Sequence, residues 1–404
     1  MNILIVTQYF WPESFVINSL ATELQNKGHT VTVLTGLPNY PKGEYYNKYG
    51  LFKGPWSEVY QGVKVLRVPL LNRASGGLRL ALNYVSFVIS GTLLGAFRKP
   101  KNIDVIFCFG LSPVTLCLPA IFIKWLTSKK LVYWVQDLWP ESVSAVGVTQ
   151  SKVVISMLGK LVSFIYKNCD QILIQSKAFT KSIDQYNLKN IPLTYIPNWA
   201  DPFPNTEVPD WIKNLPNNFK IGFAGNIGKA QDMKTLIAAA EILKDQNISW
   251  VIAGDGSDKI FLDQEIQKRN LQNQIITVGR KSYSEMLPFF QTCDAMLVTL
   301  TDEFIFSLTI PSKVQAYMSS GRPMIASVPG EGARIVLEAN AGLSCQAENA
   351  KALAETVLKM KNLSSVDREK MGKNGEEYFK KYFERSVVID QIEKILKHQM
   401  QVSK

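Results

Sequence analysis

Short apolar runs alternate with amphipathic segments along the first half of the chain. Asn2–Thr7 and Thr30–Thr35 have the pattern of buried strands, and Phe15–Lys27 between them has that of an amphipathic helix. Four more runs predict strands: Val63–Val68, Ile103–Cys108, Leu131–Val135 and Gln171–Ile174. Strands that alternate with helices predict βαβ units and a parallel sheet. The stretch Gly36–Gly62, rich in Gly, Pro and Tyr, is predicted to be a long loop.

The alternation stops at Asn198–Asn218, where prolines cluster, and resumes behind it. The strands predicted there are Lys220–Ala224, Trp250–Ala253, Ile275–Val278, Ala295–Leu300, Met324–Ser327 and Leu343–Cys345. The predicted helices are Met233–Lys244, Lys259–Arg269, Ser284–Gln291, Lys313–Ser319, Ala333–Ala339, Glu348–Met360 and Val366–Lys397.

Together these patterns predict two doubly wound α/β domains in tandem. The predicted organisation is a first domain at 1–200, a linker at 201–218, a second domain at 219–380 and a C-terminal helix at 381–404 that can cross back to the first domain. Ligands of such sheets bind beyond the carboxyl ends of the strands, so two such domains that face each other predict a ligand in the cleft between them.

The net charge lies entirely in the first half of the chain. Residues 1–200 hold 20 basic and 9 acidic side chains, residues 201–404 hold 25 of each, and the whole chain carries +11. The asymmetry predicts an anionic partner for the first half, nucleic acid or a membrane surface, unless the basic surface serves only solubility. Basic runs never exceed two residues, which argues against nucleic acid.

Composition excludes several classes of protein. The five cysteines are scattered without CxxC spacing and there are two histidines, so neither a disulfide framework nor a zinc site is expected, and a reducing cytoplasm fits. The apolar run after Met1 is too short for a secretory signal. P-loop, GxSxG, HExxH and EF-hand patterns do not occur, and the turn after the first strand lacks the glycines of a dinucleotide fingerprint.

The sequence Trp-Pro-Glu-Ser occurs twice, each time after a predicted strand. At the carboxyl edge of a sheet an indole can stack on a sugar ring and a carboxylate can accept from hydroxyl groups. The candidate acceptor-binding residues are therefore Trp11, Glu13, Trp139 and Glu141, and Asp137 adds a further carboxylate. The alternative is that both motifs are only well-formed helix starts, with Pro in the first turn and Glu near the positive helix end.

Three segments of the second half suit phosphate groups. Gly225–Lys229 and Gly254–Gly256 follow predicted strands, and Ile310–Lys313 opens a predicted helix. Backbone amides at a helix N-terminus, with a lysine nearby, form an anion site. Three such segments at strand ends of one sheet predict a nucleotide diphosphate there.

These motifs resemble those of the retaining glycosyltransferases of family four, which have the GT-B fold of two Rossmann-like domains. The matching segments are Lys27–Thr35, Gly225–Lys229, Ala253–Gly256 and Pro311–Pro323, and the likeness covers essentially the whole chain. Residues 136–142 are most similar to the WbuB-like branch of bacterial O-antigen and capsule enzymes. The resemblance implies transfer of N-acetyl-L-fucosamine from UDP to a polyprenyl-diphosphate-linked acceptor, with the donor in the C-terminal domain and the acceptor in the N-terminal one.

The resemblance also implies roles for individual residues. It places Asp137 beside the reacting sugar and makes Lys229 and Lys313 the catalytic cations that meet the donor phosphates. The implied donor-binding residues are Gly225, Asn226, Gly228, Asp255, Gly256, Arg280, Pro311 and Ser312.

One feature of the family is missing from this sequence. Family members often carry two glutamates, and the matching positions here are Leu308 and Ala316. Glu303 and Glu331 are the candidate replacements in donor binding, unless Glu303 is only a solvated turn residue.

Departure of a nucleotide diphosphate builds up negative charge, which preorganised cations and amides stabilise. Lys229, Lys313 and the helix start at Ser312 can supply them, so neither a metal nor another cofactor is expected. A retaining transfer without a carboxylate nucleophile requires the acceptor to attack on the face of the leaving group. Two alternatives stay open: a UDP-sugar epimerase on the same frame, and a non-catalytic protein that binds nucleotide sugars or lipids.

The uncharged segment Leu80–Phe97 is flanked by basic residues: Arg73, Arg79, Arg98, Lys99 and Lys101. It is barely long enough to span a membrane, and a predicted strand follows at once. We therefore expect a helix that covers the sheet and touches the inner leaflet, which places a cytoplasmic protein peripherally on the inner membrane. A fully buried core helix is the alternative.

Overall fold

The computed structural model describes residues 1–74, 77–145, 151–201 and 203–402. Pro202 of the predicted linker and the last two residues of the predicted C-terminal helix lie outside the described residues. The chain divides into two compact units, Met1–Pro197 with Val388–Lys404, and Asn198–Val387. Each unit contains a Rossmann-like α/β sheet, which confirms the predicted fold class.

The sheet of the first unit has eight strands: β1 Asn2–Val6, β2 Thr30–Gly36, β3 Ser57–Tyr60, β4 Val63–Val68, β5 Val105–Gly110, β6 Leu131–Val135, β7 Gln171–Ile174 and β8 Leu193–Tyr195. Their order is β3-β4-β2-β1-β5-β6-β7-β8, and neighbours are parallel except β3 and β4. Each residue of β5 and β6 is buried, as expected for parallel strands covered on both faces. The strand order reverses between β1 and β5, the position where such sheets bind ligands.

The helices of this unit connect the parallel strands: Val16–Asn26, Gly77–Arg98, Leu118–Thr127, Glu141–Ala145, Lys152–Lys167 and Phe179–Asp184. Gly28 has a φ of 85° just behind the first of them and ends it, because this conformation favours glycine. The predicted loop Gly36–Gly62 is interrupted by β3, so the prediction of one continuous loop is wrong.

The second unit has six strands, all parallel: β9 Phe219–Asn226, β10 Ile248–Asp255, β11 Ile275–Gly279, β12 Ala295–Thr299, β13 Met324–Ser327 and β14 Gly342–Cys345. Their order, β11-β10-β9-β12-β13-β14, is the Rossmann order. The α-helices are Asp210–Lys213, Met233–Ile242, Lys259–Lys268, Met286–Thr292, Phe304–Ser307, Ser312–Ser319, Glu331–Glu338, Ala350–Asn362 and Ser365–Tyr382. The short helix Asp210–Lys213 lies in the predicted linker, which belongs to this unit.

The end of the chain forms two helices where the sequence predicts one. Ser365–Tyr382 and Arg385–Val402 are separated at Phe383, a fully buried side chain. From Val388 onward the last helix belongs to the first unit. There the ammonium of Lys27 lies 2.6 Å from the Asp390 carboxylate, and His29 Nε2 lies 2.8 Å from that of Glu393.

The helix Gly77–Arg98, called here the apolar helix, has one buried face and one exposed face. The buried face carries the aromatic Phe87 together with small or polar residues, and a Cβ at Gly95 would lie 2.6 Å from the Leu34 side chain of β2. Seven large apolar residues are exposed: Leu78, Leu82, Val85, Ile89, Leu93, Leu94 and Phe97. By length and composition alone the helix could cross a membrane, yet only 28% of its most apolar window is buried. The alternative of a fully buried core helix is therefore wrong.

We expect Glu393→Gln to loosen the C-terminal helix at neutral pH. The hydrogen bond from Lys397, helped by His29 and Lys27, lowers the pKa of Glu393 to about 2. A carboxylate with a lowered pKa stabilises the fold above its unfolded value of 4.5 and loses that contribution as the pH falls toward 2. The variant should lose about 1–3 kcal/mol at neutral pH and little near pH 2.

Amide hydrogen exchange of residues 388–402 measures this effect. The control is Glu355→Gln, a change at an exposed position of the helix Ala350–Asn362, which should leave exchange in residues 388–402 unaltered. Equal exchange rates for the two variants at neutral pH would contradict the assigned role of Glu393.

Candidate functional site

A pocket of about 390 Å³ lies at the carboxyl ends of β9, β10 and β11. It is lined by Gly225, Asn226, Ala253, Gly254, Asp255, Arg280, Lys281 and Met286. The strand order of this sheet reverses beside β9, where Rossmann-like sheets bind nucleotides. Four of the predicted donor-binding residues, Gly225, Asn226, Asp255 and Arg280, therefore share one pocket.

Two glycines allow the turns around this pocket to approach each other. A Cβ at Gly254 would lie 1.9 Å from the carbonyl oxygen of Gly225. A Cβ at Gly256 would lie 2.3 Å from the carbonyl oxygen of Ile227. Any side chain at these positions would clash with the neighbouring backbone, so the two turns can lie side by side only with glycine.

Lys313 brings a positive charge to the Gly225 turn. It lies in the first turn of the helix Ser312–Ser319, which begins behind Pro311. Its ammonium nitrogen is 4.9 Å from the centre of the Phe223 ring and would be 3.2 Å from a Cβ at Gly225. No carboxylate of the described residues pairs with it, and burial lowers the pKa of Lys313 to about 8. A phosphate group beside this ammonium would stabilise its charge, and the first amides of the helix would add to that effect.

Tyr317, one turn further along the same helix, fixes the helix to β9. Its hydroxyl oxygen accepts a hydrogen bond from the backbone N–H of Ala224 at 2.9 Å and lies 3.2 Å from the carbonyl oxygen of that residue. This contact holds Lys313 next to the Gly225 turn. Sequence reasoning missed Tyr317, although its spacing of four residues from Lys313 puts both on one face of the helix.

The other predicted residues of the second unit lie outside the lining of this pocket. Lys229 is exposed at the start of a 3₁₀ turn, and the N–H of Gly228 donates to the Gln231 side chain at 3.2 Å. Glu331 is buried and paired with Arg334 at 2.6 Å, so its carboxylate already has a cationic partner. Glu303 is exposed and precedes the helix Phe304–Ser307. Of the two candidate replacements, Glu303 has the more accessible carboxylate.

In the first unit the turns after β5 and β6 hold two predicted residues together. The backbone N–H of Ser112 donates to the Asp137 carboxylate at 2.8 Å, and its hydroxyl accepts from the Trp139 indole N–H at 3.1 Å. Glu141 begins a short helix, burial raises its pKa, and its Oε2 has no hydrogen-bond partner among the described residues. This edge therefore holds an indole and two carboxylates, and their binding of an acceptor stays a prediction.

In the first Trp-Pro-Glu-Ser motif Glu13 has a structural role, while binding of an acceptor by Trp11 stays a prediction. The Glu13 side chain is buried, and its carboxylate accepts three backbone hydrogen bonds, from Phe10, Asn39 and Tyr40. Trp11 stacks on the Tyr60 ring with 4.9 Å between ring centres. The following helix begins at Val16, so the motif is not a helix start.

Models of two protein families match this chain, one in each unit. The model described as "Glycosyl transferase 4-like domain" matches residues 14–199, and that described as "Glycosyl transferases group 1" matches residues 208–378. Together the two matches cover most of the chain.

Two named relatives are similar over most of their length. The probable glycosyltransferase WbjE of Pseudomonas aeruginosa is 26% identical over 316 residues, which are 74% of this chain and 77% of the relative. The putative colanic acid biosynthesis glycosyl transferase WcaI of Escherichia coli K12 is 26% identical over 340 residues, 80% of this chain and 82% of the relative.

Solved structures show the same fold. Sucrose-phosphate synthase from Thermosynechococcus elongatus has a TM-score of 0.74 at 16% identity, with 99% of each chain covered. Anabaena Alr3699/HepE in complex with UDP has a TM-score of 0.69 at 16% identity, with 98% of this chain and 100% of that chain covered. At these identities the likeness concerns the fold.

We expect Glu13→Ala to destabilise the first unit by about 3 kcal/mol, because three backbone N–H groups, two of them in buried hydrogen bonds, lose their acceptor. Burial raises the pKa of Glu13 to about 7, while the three N–H groups favour the carboxylate and act in the opposite direction. Glu13→Gln keeps one acceptor oxygen and should lose less. Thermal unfolding measures both variants, with Glu44→Ala at an exposed position as the control. A melting temperature of Glu13→Ala equal to that of the control would refute the structural role.

Proposed function

Because models of two glycosyltransferase families match this chain, one in each unit, we propose that it transfers a sugar from UDP to a polyprenyl-diphosphate-linked acceptor, with retention of configuration. The proposed sugar is N-acetyl-L-fucosamine, from the resemblance of residues 136–142, and the proposed product is an O-antigen or capsule precursor. The relatives WbjE and WcaI are named as glycosyltransferases, and the name of WcaI refers to a polysaccharide. The observation that carries the proposal is the unpaired ammonium of Lys313 beside the Gly225 turn.

The pocket of the second unit supports a nucleotide-sugar donor. The glycine turns leave room for phosphate groups, and Lys313 supplies a cation at their edge. The solved structures of Alr3699/HepE contain UDP and UDP-glucose, which favours UDP as the nucleotide. Arg280, which follows β11 and lines this pocket, is the proposed contact of the base, as the resemblance implies.

The charges of the site fit the chemistry of glycosyl transfer. Breaking the bond between sugar and diphosphate places negative charge on the leaving group and positive charge on the sugar. Lys313, the first amides of its helix and Lys229 are proposed to stabilise the leaving group, without a metal ion. Asp137, held by Ser112, is the proposed partner of the developing positive charge on the sugar.

We expect Lys313→Met to lower turnover without lowering the stability of the fold. The substitution removes a buried charge but keeps the length of the side chain, so the melting temperature should stay the same or rise. Turnover should fall roughly 10²–10³-fold, because the leaving group loses its cation. Sugar transfer and thermal unfolding measure the two effects, and the control is Lys268→Met at an exposed position. Unchanged turnover would exclude Lys313 from catalysis.

UDP binding should take up protons through Lys313. Its pKa is about 8 in the free chain, and a bound diphosphate should raise it. At pH 8, binding should therefore take up about half a proton, and the uptake should vanish in Lys313→Met. Calorimetry in buffers of different ionisation enthalpy measures this. The same uptake in wild-type chain and variant would place the titrating group elsewhere.

We further propose that the first unit docks on the anionic cytoplasmic face of the inner membrane through three helices. These outer helices are the apolar helix, Leu118–Thr127 and Lys152–Lys167. Each contacts the next: a Cβ at Gly91 would lie 2.9 Å from the Pro119 ring, and the Trp125 and Phe164 rings are 6.1 Å apart. Besides the apolar helix, the exposed apolar side chains are Trp125, Leu126, Val153, Val154 and Met157.

Charge on the outer helices suits an anionic bilayer. They carry six basic and no acidic side chains. A groove of about 730 Å³ beside Lys152–Lys167 is lined by four lysines and no acidic residue: Lys152, Lys160, Lys167 and Lys189. Apolar side chains flanked by cations are typical of helices that lie in the plane of a membrane surface.

Replacing three exposed residues of the apolar helix, Ile89, Leu93 and Phe97, by Ser should weaken binding to vesicles that contain phosphatidylglycerol by 10-fold or more, since each loses about 1.5–3 kcal/mol of burial. Vesicle sedimentation measures binding, and high salt should weaken it further without affecting UDP affinity. The control replaces three exposed apolar residues of the second unit by Ser: Ile242, Ile260 and Val366. Equal binding of both triple variants would refute this docking surface.

A further inference from the structure

We infer that Arg73 and Tyr84 form a binding site in the first unit for a diphosphate group, the group that joins the acceptor sugar to its lipid. The inference rests on the proposed function, because that function supplies a diphosphate-linked acceptor. Neither residue belongs to the Trp-Pro-Glu-Ser motifs or to the strand ends that the sequence singles out.

Arg73 is held in place by its backbone and by aromatic rings. Its N–H donates to the Asn39 side-chain oxygen at 3.0 Å, and its guanidinium carbon lies 5.2 Å from the centre of the Tyr40 ring. One guanidinium nitrogen lies 3.4 Å from the Tyr9 hydroxyl, which follows β1. The guanidinium is thus oriented at the edge of the sheet where the strand order reverses.

Most hydrogen-bond donors of Arg73 remain available to a ligand. Among the described residues no carboxylate pairs with it, and a guanidinium has five N–H donors. Arg67 of β4 shows the contrast: it is fully buried, and its donors go to the Glu58 carboxylate and to the carbonyl oxygens of Gly36 and Trp11. Arg67 therefore stabilises the fold, whereas Arg73 presents a cation that the fold does not neutralise.

The apolar helix brings Tyr84 to the same place. Its neighbour Asn83 is fully buried and binds the Gln8 side chain at 2.8 Å and the Asn39 side chain at 3.3 Å, which fixes this turn of the helix over the edge of the sheet. Burial raises the pKa of the Tyr84 hydroxyl, the charge of Asp137 raises it as well, and that of Arg73 lowers it. The phenol therefore lies within electrostatic reach of both charges and keeps its proton as a donor at neutral pH.

These groups of the first unit suit the three parts of a lipid-diphosphate sugar. The exposed face of the apolar helix suits the lipid, Arg73 and Tyr84 offer donors to the diphosphate, and Asp137 can accept from sugar hydroxyls. A guanidinium binds two phosphate oxygens at once, which a single ammonium cannot do. A carboxylate repels phosphate, so Asp137 directs the diphosphate toward Arg73.

Farnesyl diphosphate is the probe that tests this site without any sugar acceptor. Its affinity for the full chain is measured by calorimetry beside those of farnesyl monophosphate and farnesol. Arg73→Gln should weaken binding of the diphosphate roughly 10- to 100-fold, and Tyr84→Phe several-fold, while farnesol binding stays the same. Arg73→Lys should recover only part of the affinity. The matched control is Lys64→Gln, at an exposed position of β4.

Measurements of UDP affinity and of sugar transfer distinguish a failure of this inference from a failure of the proposed function. UDP affinity should be unchanged in Arg73→Gln, which also shows that the second unit of the variant is folded. A loss of UDP affinity instead would assign Arg73 to the donor diphosphate and overturn the inference. Equal farnesyl diphosphate affinity in wild-type chain and Arg73→Gln would also overturn it, even where the wild-type chain transfers sugar to a polyprenyl-diphosphate acceptor. Binding that depends on Arg73 in a chain without transfer activity would refute the proposed function and leave the site standing.

Discussion

A buried cation without a counter-charge is costly, and the proposed donor site of this chain is arranged around one. The ammonium of Lys313 lies over the Phe223 ring next to the Gly225 turn, where burial disfavours its charge. Tyr317 fixes the orientation of the helix that carries Lys313, because the Tyr317 hydroxyl is hydrogen-bonded to Ala224 near the end of β9. The Lys313 ammonium is therefore held away from water. The proposed donor would supply the missing negative charge, so the same arrangement that lowers stability would create affinity for a diphosphate.

The distribution of charge differs between the two units for a related reason. In the second unit, residues 198–387, acidic and basic side chains are nearly equal in number, 23 and 22, and form local pairs, such as Arg269 with Glu241 and Arg334 with Glu331. In the first unit acids are scarce, and the outer helices have none. The excess of positive charge seen in the sequence thus belongs to the first unit, where the outer helices contribute six basic side chains, and Arg73 belongs to the same unit. This division suits the proposed function, in which the second unit binds a soluble anion and the first unit binds an anionic surface.

Sequence patterns predicted those elements of the fold that are determined by the residues within the element itself. Buried parallel strands such as β5 and β6 are continuous apolar runs, so they are visible in sequence, whereas β3 and β8 are short strands at the sheet edges and were missed. The two Trp-Pro-Glu-Ser motifs have the same sequence, but Glu13 in the first is bonded to the loop at Asn39. That loop lies 26 residues further along the chain, so the motif alone does not reveal the contact. The Gly225 and Asp255 turns were predicted from glycine spacing, but Tyr317 and Ser112 act through tertiary hydrogen bonds that spacing does not reveal.

The chain leaves the first unit after Pro197 and returns to it at Val388. A ribosome synthesises residues in order, so the whole second unit emerges before the helix that pairs with Lys27 and His29 is available. Until then the surface around His29 lacks its partner, and the first unit is incomplete during almost the entire time of translation. All residues of the second unit are therefore synthesised before those of the first unit are complete. The first unit is complete only after its C-terminal helix has been synthesised.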